Sequence, residues 1–97
     1  GISFSTGQFP FSANGKALGM DEADGFVSWL AEKDSGRLIG LHIIGPNATE
    51  LVSIGTVAIE AGMTAGQFES VIFPHPTLGE ALFEAAEDIN SKSVHIL

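Results

Sequence analysis

The chain contains no cysteine. A disulfide framework, a zinc–thiolate site and a thiol nucleophile are therefore excluded within it. Cations are scarce as well: 97 residues carry four Lys and Arg against twelve Asp and Glu, a net charge of −8. Lys16, Lys33, Arg37 and Lys92 are dispersed along the chain. Nucleic acids and anionic membranes bind clustered cations, so neither is an expected partner. No apolar run approaches the roughly 18 residues that a membrane-spanning helix needs. The opening residues, Gly1 to Gly7, hold neither a basic n-region nor a long apolar h-region and do not read as a signal peptide. They lack an initiator methionine and begin as though inside a strand, which reads as a processed or truncated product.

Several functional signatures are missing too. The glycines do not form Gly-x-Gly-x-x-Gly, and no serine sits in a Gly-x-Ser-x-Gly elbow. The three histidines share no metal-ligand spacing, so no metal site is expected. Asp21, Glu22 and Asp24 lack a calcium-loop pattern and read as a solvated turn. His42 reads as a hydrogen-bonded sheet residue and His95 as a solvated tail residue.

Hydrophobic residues make up 44% of the chain, enough for residues 1–97 to fold as one small domain with one core. Residues 2–11 read as a strand ending near Pro10, and 12–20 as a connection with one helical turn. Residues 25–32 and 37–45 form the clearest hairpin, with turn chemistry at Lys33-Asp34-Ser35-Gly36. On the second of these strands Ile39, Leu41 and Ile43 share one face, and Leu38, Gly40, His42 and Ile44 the other. Both faces are largely apolar, which predicts a central strand covered on both sides.

Helices follow. Asn47 offers an N-cap, and Leu51, Ile54, Gly55, Ala58 and Ile59 fall on one helical face, with Gly62 as the C-terminal stop. Thr64-Ala65-Gly66-Gln67 is a capping box for a short helix to about Val71. Thr77-Leu78-Gly79-Glu80 is another, starting a helix whose stripe is Leu78, Ala81, Leu82, Ala85 and Ile89. Residues 91–97 read as a short strand or a mobile end. Strands first and helices after predict an α+β domain with an antiparallel sheet and helices packed on it. Trp29 and the phenylalanines are expected in its core, some of them alternatively in a subunit contact.

The chemistry concentrates in Phe73-Pro74-His75-Pro76-Thr77-Leu78-Gly79-Glu80. Two prolines stiffen the backbone around His75. A free imidazole titrates near neutral pH, and a carboxylate at one ring nitrogen fixes its tautomer and favours its protonated form. His75 with Glu80 would then be a general acid/base pair. Two bland readings compete. His75 could be a turn residue, and Glu80 could serve only to cap the Thr77 backbone N–H. Either X-Pro bond, Phe73–Pro74 or His75–Pro76, is able to be cis.

Four blocks of the chain carry a resemblance. They are Phe9 to Leu18 (FPFSANGKAL), Asp24 to Val27 (DGFV), Gly36 to Ala48 with Glu50 and Leu51 (GRLIGLHIIGPNA), and His75 to Leu78 with Glu80 and Ala81. Together they resemble the C-terminal interface domain of the flavoprotein disulfide reductases, the pyridine nucleotide-disulfide oxidoreductase family. The branch that reoxidises dihydrolipoamide is the most similar. The likeness spans nearly the whole chain, with the blocks in family order. It implies the α+β interface-domain fold, here lacking its first strand and helix.

The resemblance further implies a homodimer whose full-length enzyme binds FAD and NAD, with no cofactor held by this chain alone. His75 is then the acid/base that works in the partner subunit's active site, and Glu80 orients it. The His75 main-chain carbonyl also contacts the partner flavin, and the His75–Pro76 bond is cis. The helix at 48–61, the hairpin sheet and the 73–80 loop would contribute to a two-fold surface. The lipoyl domain of a multienzyme complex is the implied protein partner. The bacterial cytoplasm is the implied compartment, with the mitochondrial matrix as the alternative. The isolated chain would be inactive. A purely non-catalytic dimerisation module and the interface domain of a glutathione-type reductase remain alternatives. Phe73-Pro74 stands where the family branch usually has His-Ala, and Gly79 where it usually has Ser.

Overall fold

The computed structural model describes residues 3–20, 24–71, 73 and 75–95, with side chains described as far as residue 89. Three strands, β1 (Phe4–Pro10), β2 (Phe26–Glu32) and β3 (Leu38–Ile44), form an antiparallel sheet in the order β1-β2-β3. A 3-10 turn at Phe11–Ala13 and helix α1 (Gly15–Gly19) replace the single turn expected at 12–20. Helices α2 (Ala48–Glu60), α3 (Ala65–Glu69) and α4 (Glu80–His95) follow the hairpin. The α+β reading with helices on an antiparallel sheet is therefore right. The short strand offered for 91–97 is not: Ser91–His95 continue α4, while Ile96 and Leu97 lie outside the described residues.

The central strand is β2, not β3. Burial along β2 alternates at every position, the pattern of a strand whose one face meets the core. Val27, Trp29 and Ala31 are fully buried on that face. They pair with Ile43, Leu41 and Leu38 of β3, because the register slips between Leu30 and Ala31 and leaves Ile39 without an opposing residue. This bulge turns Leu38, rather than Ile39, toward the core beside Leu41 and Ile43. Strict alternation therefore assigned those two residues to the wrong faces. The outer face of β3 carries Gly40, His42 and Ile44, and Ile44 is 53% exposed, so that strand is covered on one side only.

Trp29 organises the core. Its ring meets Phe68 of α3 edge-on, with centroids 5.1 Å apart, and its indole Nε1–H donates to the Leu82 carbonyl of α4 at 2.9 Å. A buried tryptophan needs such a partner for its one polar group. The expected stripe of α4, Leu78, Ala81, Leu82, Ala85 and Ile89, is buried, joined by Ala86.

Local punctuation follows the sequence closely, with one exception. Gly36 takes φ +76° in the hairpin turn. Gly62 takes φ +70° after α2, where its N–H bonds to Ile59 and that of Met63 to Ala58, a Schellman ending. Thr64 and Gln67 complete a reciprocal capping box on α3, which ends at Glu69 rather than Val71. Asn47 does not cap α2 with its side chain. It sits at φ 55° in the left-handed region, using the other property that makes asparagine common at helix boundaries.

Candidate active site

The loop between α3 and α4 carries the candidate pair. His75 Nδ1 lies 3.0 Å from Glu80 Oε1 and 3.1 Å from Oε2. The His75–Pro76 bond is cis, as expected. Pro74, and with it the other X-Pro bond, lies outside the described residues.

Glu80 does both of the jobs that the sequence set against each other. Its Oε1 also accepts the Thr77 backbone N–H at 2.9 Å, which is the helix-capping contact. A carboxylate offers about four acceptor positions, so one oxygen can serve a cap and an imidazole together. Spacing cannot show this, because each reading was framed as if it used the carboxylate up. The arrangement places Nδ1–H as donor to Glu80 when the ring is neutral. Nε2, across the ring, is then the basic nitrogen.

Exposure separates the two groups. The His75 side chain is 75% exposed and that of Glu80 25%. The carboxylate is anchored and the ring stands out from the surface. The Thr77 N–H, and secondarily the His75 contact, hold the Glu80 carboxyl below its ordinary value of 4.5 against an opposing burial effect. Glu84, one turn along α4, moves the opposite way: burial first, then the neighbouring Glu87 and Glu80 charges, push its carboxyl above 4.5.

These shifts have opposite signs in stability. A group with a depressed folded value stabilises above its unfolded value, and the contribution is lost as pH falls through the folded one. A group with a raised folded value loses stability as pH rises through it. Glu80→Gln should therefore lower the melting temperature at pH 7, and Glu84→Gln should raise it. Removing the like-charge contacts of Glu84 is worth roughly 0.2–0.5 kcal/mol, about 1–4 °C for a chain of this size. Both differences should shrink as pH is brought below 4.5, where the ordinary carboxyl is protonated. Thermal melts of the two variants at pH 7 and in acid would check the pair of signs.

The two departures noted in this loop meet in space. A Cβ placed on Gly79 would stand 3.4 Å from Cδ1 and Cε1 of Phe73. The Phe73 ring in turn lies 5.7 Å from that of Phe68. The Phe73 ring thus lies within ordinary van der Waals reach of position 79. Phe73 and Glu80 also line a groove of about 290 Å³ with Phe83 and Glu69. On the other side of the loop, Pro76, Thr77 and Gly79 border a groove of about 510 Å³ shared with Lys16 and Glu50.

A family model described as the pyridine nucleotide-disulphide oxidoreductase dimerisation domain matches residues 1–86. The chain belongs to that family. Dihydrolipoyl dehydrogenase of Geobacillus stearothermophilus is 45% identical over 97 residues, all of this chain and 21% of that protein. The mitochondrial dihydrolipoyl dehydrogenase of Caenorhabditis elegans is 46% identical over 85 residues, 88% of this chain and 17% of that protein. Among solved structures, LpdA from Mycobacterium tuberculosis superposes with a TM-score of 0.84 at 26% identity, covering 89% of this chain and 19% of that one. This dimerisation domain thus spans about a fifth of the length of the curated relatives it matches.

Of the other histidines, His42 is exposed on the outer sheet face with its ring 6.1 Å from that of Phe26. It is on the opposite side of the sheet from the helices. The His95 side chain lies outside the described ones. No group of three or more His, Cys, Asp and Glu able to hold a metal ion occurs among the described residues. Asn14 drew no functional expectation from the sequence. It is buried, at 3% exposure, and its amide reaches the Thr77 carbonyl at 3.0 Å. Asparagine is a common N-cap, but the Thr77 partner is too distant in sequence to be read from it.

Proposed function

We propose that residues 1–97 are the dimer-interface domain of a dihydrolipoyl dehydrogenase, in which His75 is the acid/base toward a dithiol substrate and Glu80 its orienting carboxylate. The observation that carries this reading is the His75 Nδ1–Glu80 contact at 3.0 Å on a ring that stands 75% exposed. A base that must reach across a subunit boundary needs an anchored partner and a free outer nitrogen. Similarity to dihydrolipoyl dehydrogenases over the whole chain supports the substrate assignment.

A free thiol has pKa about 8.5 and reacts as its thiolate. Nε2 takes the proton: the S–H bond breaks and an N–H bond forms. The thiolate then attacks one sulfur of a redox disulfide, and the other sulfur leaves as thiolate. That disulfide is outside this chain, which has no cysteine. The imidazolium is held by the Glu80 charge until its proton is passed on. Bound FAD and NAD in the full-length enzyme supply the electron-accepting chemistry. This chain's part is to position and move a proton, and in the full enzyme its His75 main-chain carbonyl would be the group that contacts the partner's flavin. The full enzyme is a homodimer, and the lipoyl domain of a multienzyme complex presents its substrate. No helix among the described residues is long and apolar enough to cross a membrane. A bacterial cytoplasm is the favoured compartment, with a mitochondrial matrix second, since relatives of the latter kind are equally similar.

The test is a chimera. This chain replaces the equivalent segment of the Geobacillus stearothermophilus relative, and NAD-dependent oxidation of dihydrolipoamide is measured. Turnover within about ten-fold of the parent is expected, a loss of less than about 1.4 kcal/mol in transition-state stabilisation. A correctly assembled, flavin-loaded dimer without turnover would overturn the reading. The isolated 97 residues should show no dehydrogenase activity when FAD and NAD are added.

A further inference from the structure

We propose that Asn14 is a positioning residue for the His75–Glu80 pair, its buried amide tethering the main chain of Thr77 and thereby setting where the ring meets the carboxylate. The inference rests on the reading of that pair as the acid/base dyad.

Asn14 stands between the 3-10 turn and α1, on a rigid platform. Phe11 and Ala17 on either side are fully buried, and the Phe11 N–H is bonded to the Gly25 carbonyl at 3.1 Å. Both ends of the Asn14 amide are used. Oδ1 accepts the Ala17 N–H at 2.9 Å, capping α1, and Nδ2 donates to the Thr77 carbonyl at 3.0 Å. Serine and aspartate would cap α1 about as well. Asparagine differs from them in the amide donor, and that donor goes to the loop bearing the dyad. A buried donor without a partner would be costly, so the contact with Thr77 is what makes asparagine tolerable there.

Thr77 is where the tether acts. Its carbonyl is held by Asn14 and its N–H by Glu80 Oε1 at 2.9 Å. The same oxygen faces His75 Nδ1 at 3.0 Å. Both main-chain groups of one residue are therefore pinned, from two elements far apart in sequence. The ring lies along the platform as well: a Cβ on Gly15 would stand 3.6 Å from His75 Cε1. With the tether cut, the Thr77 carbonyl loses this hold while its N–H stays on Glu80, and the fixed relation of the ring to the carboxylate is loosened.

The experiment reads the imidazole tautomer. Histidine is labelled with ¹⁵N, and the ring shifts of His75 are recorded at one neutral pH, assigned by His75→Gln. The indole N–H of Trp29, which is bonded inside the core, reports the fold in the same sample. In the unaltered chain the Nδ1–H form should dominate. Asn14→Ser keeps a capping oxygen and removes the donor. Asn14→Asp also keeps the shape. Each should lower the ratio of engaged to released ring about five-fold, the change carried by one lost hydrogen bond of about 1 kcal/mol. Glu80→Ala, which removes the acceptor altogether, is the reference that must move the ratio in any case.

An unchanged ratio in both Asn14 variants, with the Trp29 signal kept and the reference moved, overturns the tether. Loss of the Trp29 signal in both variants overturns it as well, because Asn14 would then serve the fold at large. If only one variant keeps that signal, its ratio decides. Free-histidine shifts in the unaltered chain, by contrast, overturn the dyad reading beneath the proposal.

Discussion

His75→Gln in an assembled enzyme carrying this chain should lower dithiol oxidation by roughly 10²–10⁴-fold, the range that a positioned acid/base contributes, and leave the dimer intact. Glutamine is a strict choice of replacement. Its amide can still donate toward Glu80 and fill much of the imidazole's space, but it cannot accept a proton from a thiol and carry it as a cation. The loss should therefore fall on kcat and on kcat/KM together, the mark of an interaction needed in the transition state. Glu80→Gln should cost less, because the ring keeps its Nε2 and loses only its orientation and the charge opposite it. Sedimentation of the same samples separates assembly from chemistry. A protein that loses its dimer yet oxidises dithiol normally per folded site would leave these residues as an assembly surface alone. The 75% exposure of the His75 ring makes the variant a fair test, since little packing is removed with it.

How far the sequence carried this site depends on the distance between partners. His75, Pro76, Thr77 and Glu80 are neighbours in the chain, so their meeting could be anticipated from one short segment. What could not be anticipated is that Glu80 Oε1 serves Thr77 and His75 at once, since spacing says who is near and not how many bonds an oxygen accepts. Asn14 escaped for a different reason: a single side chain caps one helix and reaches the carbonyl before another, and only tertiary structure joins them. The same division runs through the fold. Gly36, Gly62, Thr64 and Gln67 punctuate the chain as their local chemistry dictates. The faces of β3 were misassigned because a bulge opposite Leu30 and Ala31 shifts the alternation, and no residue type in Leu38–Ile44 announces it.

Gly7→Ala should unfold the chain at a temperature roughly 10–20 °C lower, on the scale of 4–8 °C per kcal/mol for a domain of this size. Nothing in the residues around it, Phe4-Ser5-Thr6-Gly7-Gln8, advertises this. Gly7 is buried in β1, opposite Trp29, where α4 crosses the strand. A Cβ there would overlap the Ala85 carbonyl oxygen and stand 2.8 Å from the Ile89 amide nitrogen. These obstacles are helix backbone and cannot rotate aside, so relief requires lifting α4 from the sheet. Overpacking typically costs about 1–3 kcal/mol, and an immovable neighbour places this case at the upper end or beyond. Contacts that resist the lift include Trp29 Nε1–H to the Leu82 carbonyl at 2.9 Å and the Gln8 N–H to Asp88 Oδ2 at 3.0 Å. The strain then runs along α4 to its first turn, where Glu80 holds Thr77 and His75. Gly19→Ala is the matching control, since no atom lies within 4 Å of the added Cβ and the position is helical. It should stabilise slightly, by about 0.5–1 kcal/mol at most. Thermal melts of the two variants side by side decide the matter: a Gly7→Ala protein that melts with the wild type would mean that α4 does not seat on β1 at this distance, and the placement of Glu80 by that helix would fall with it.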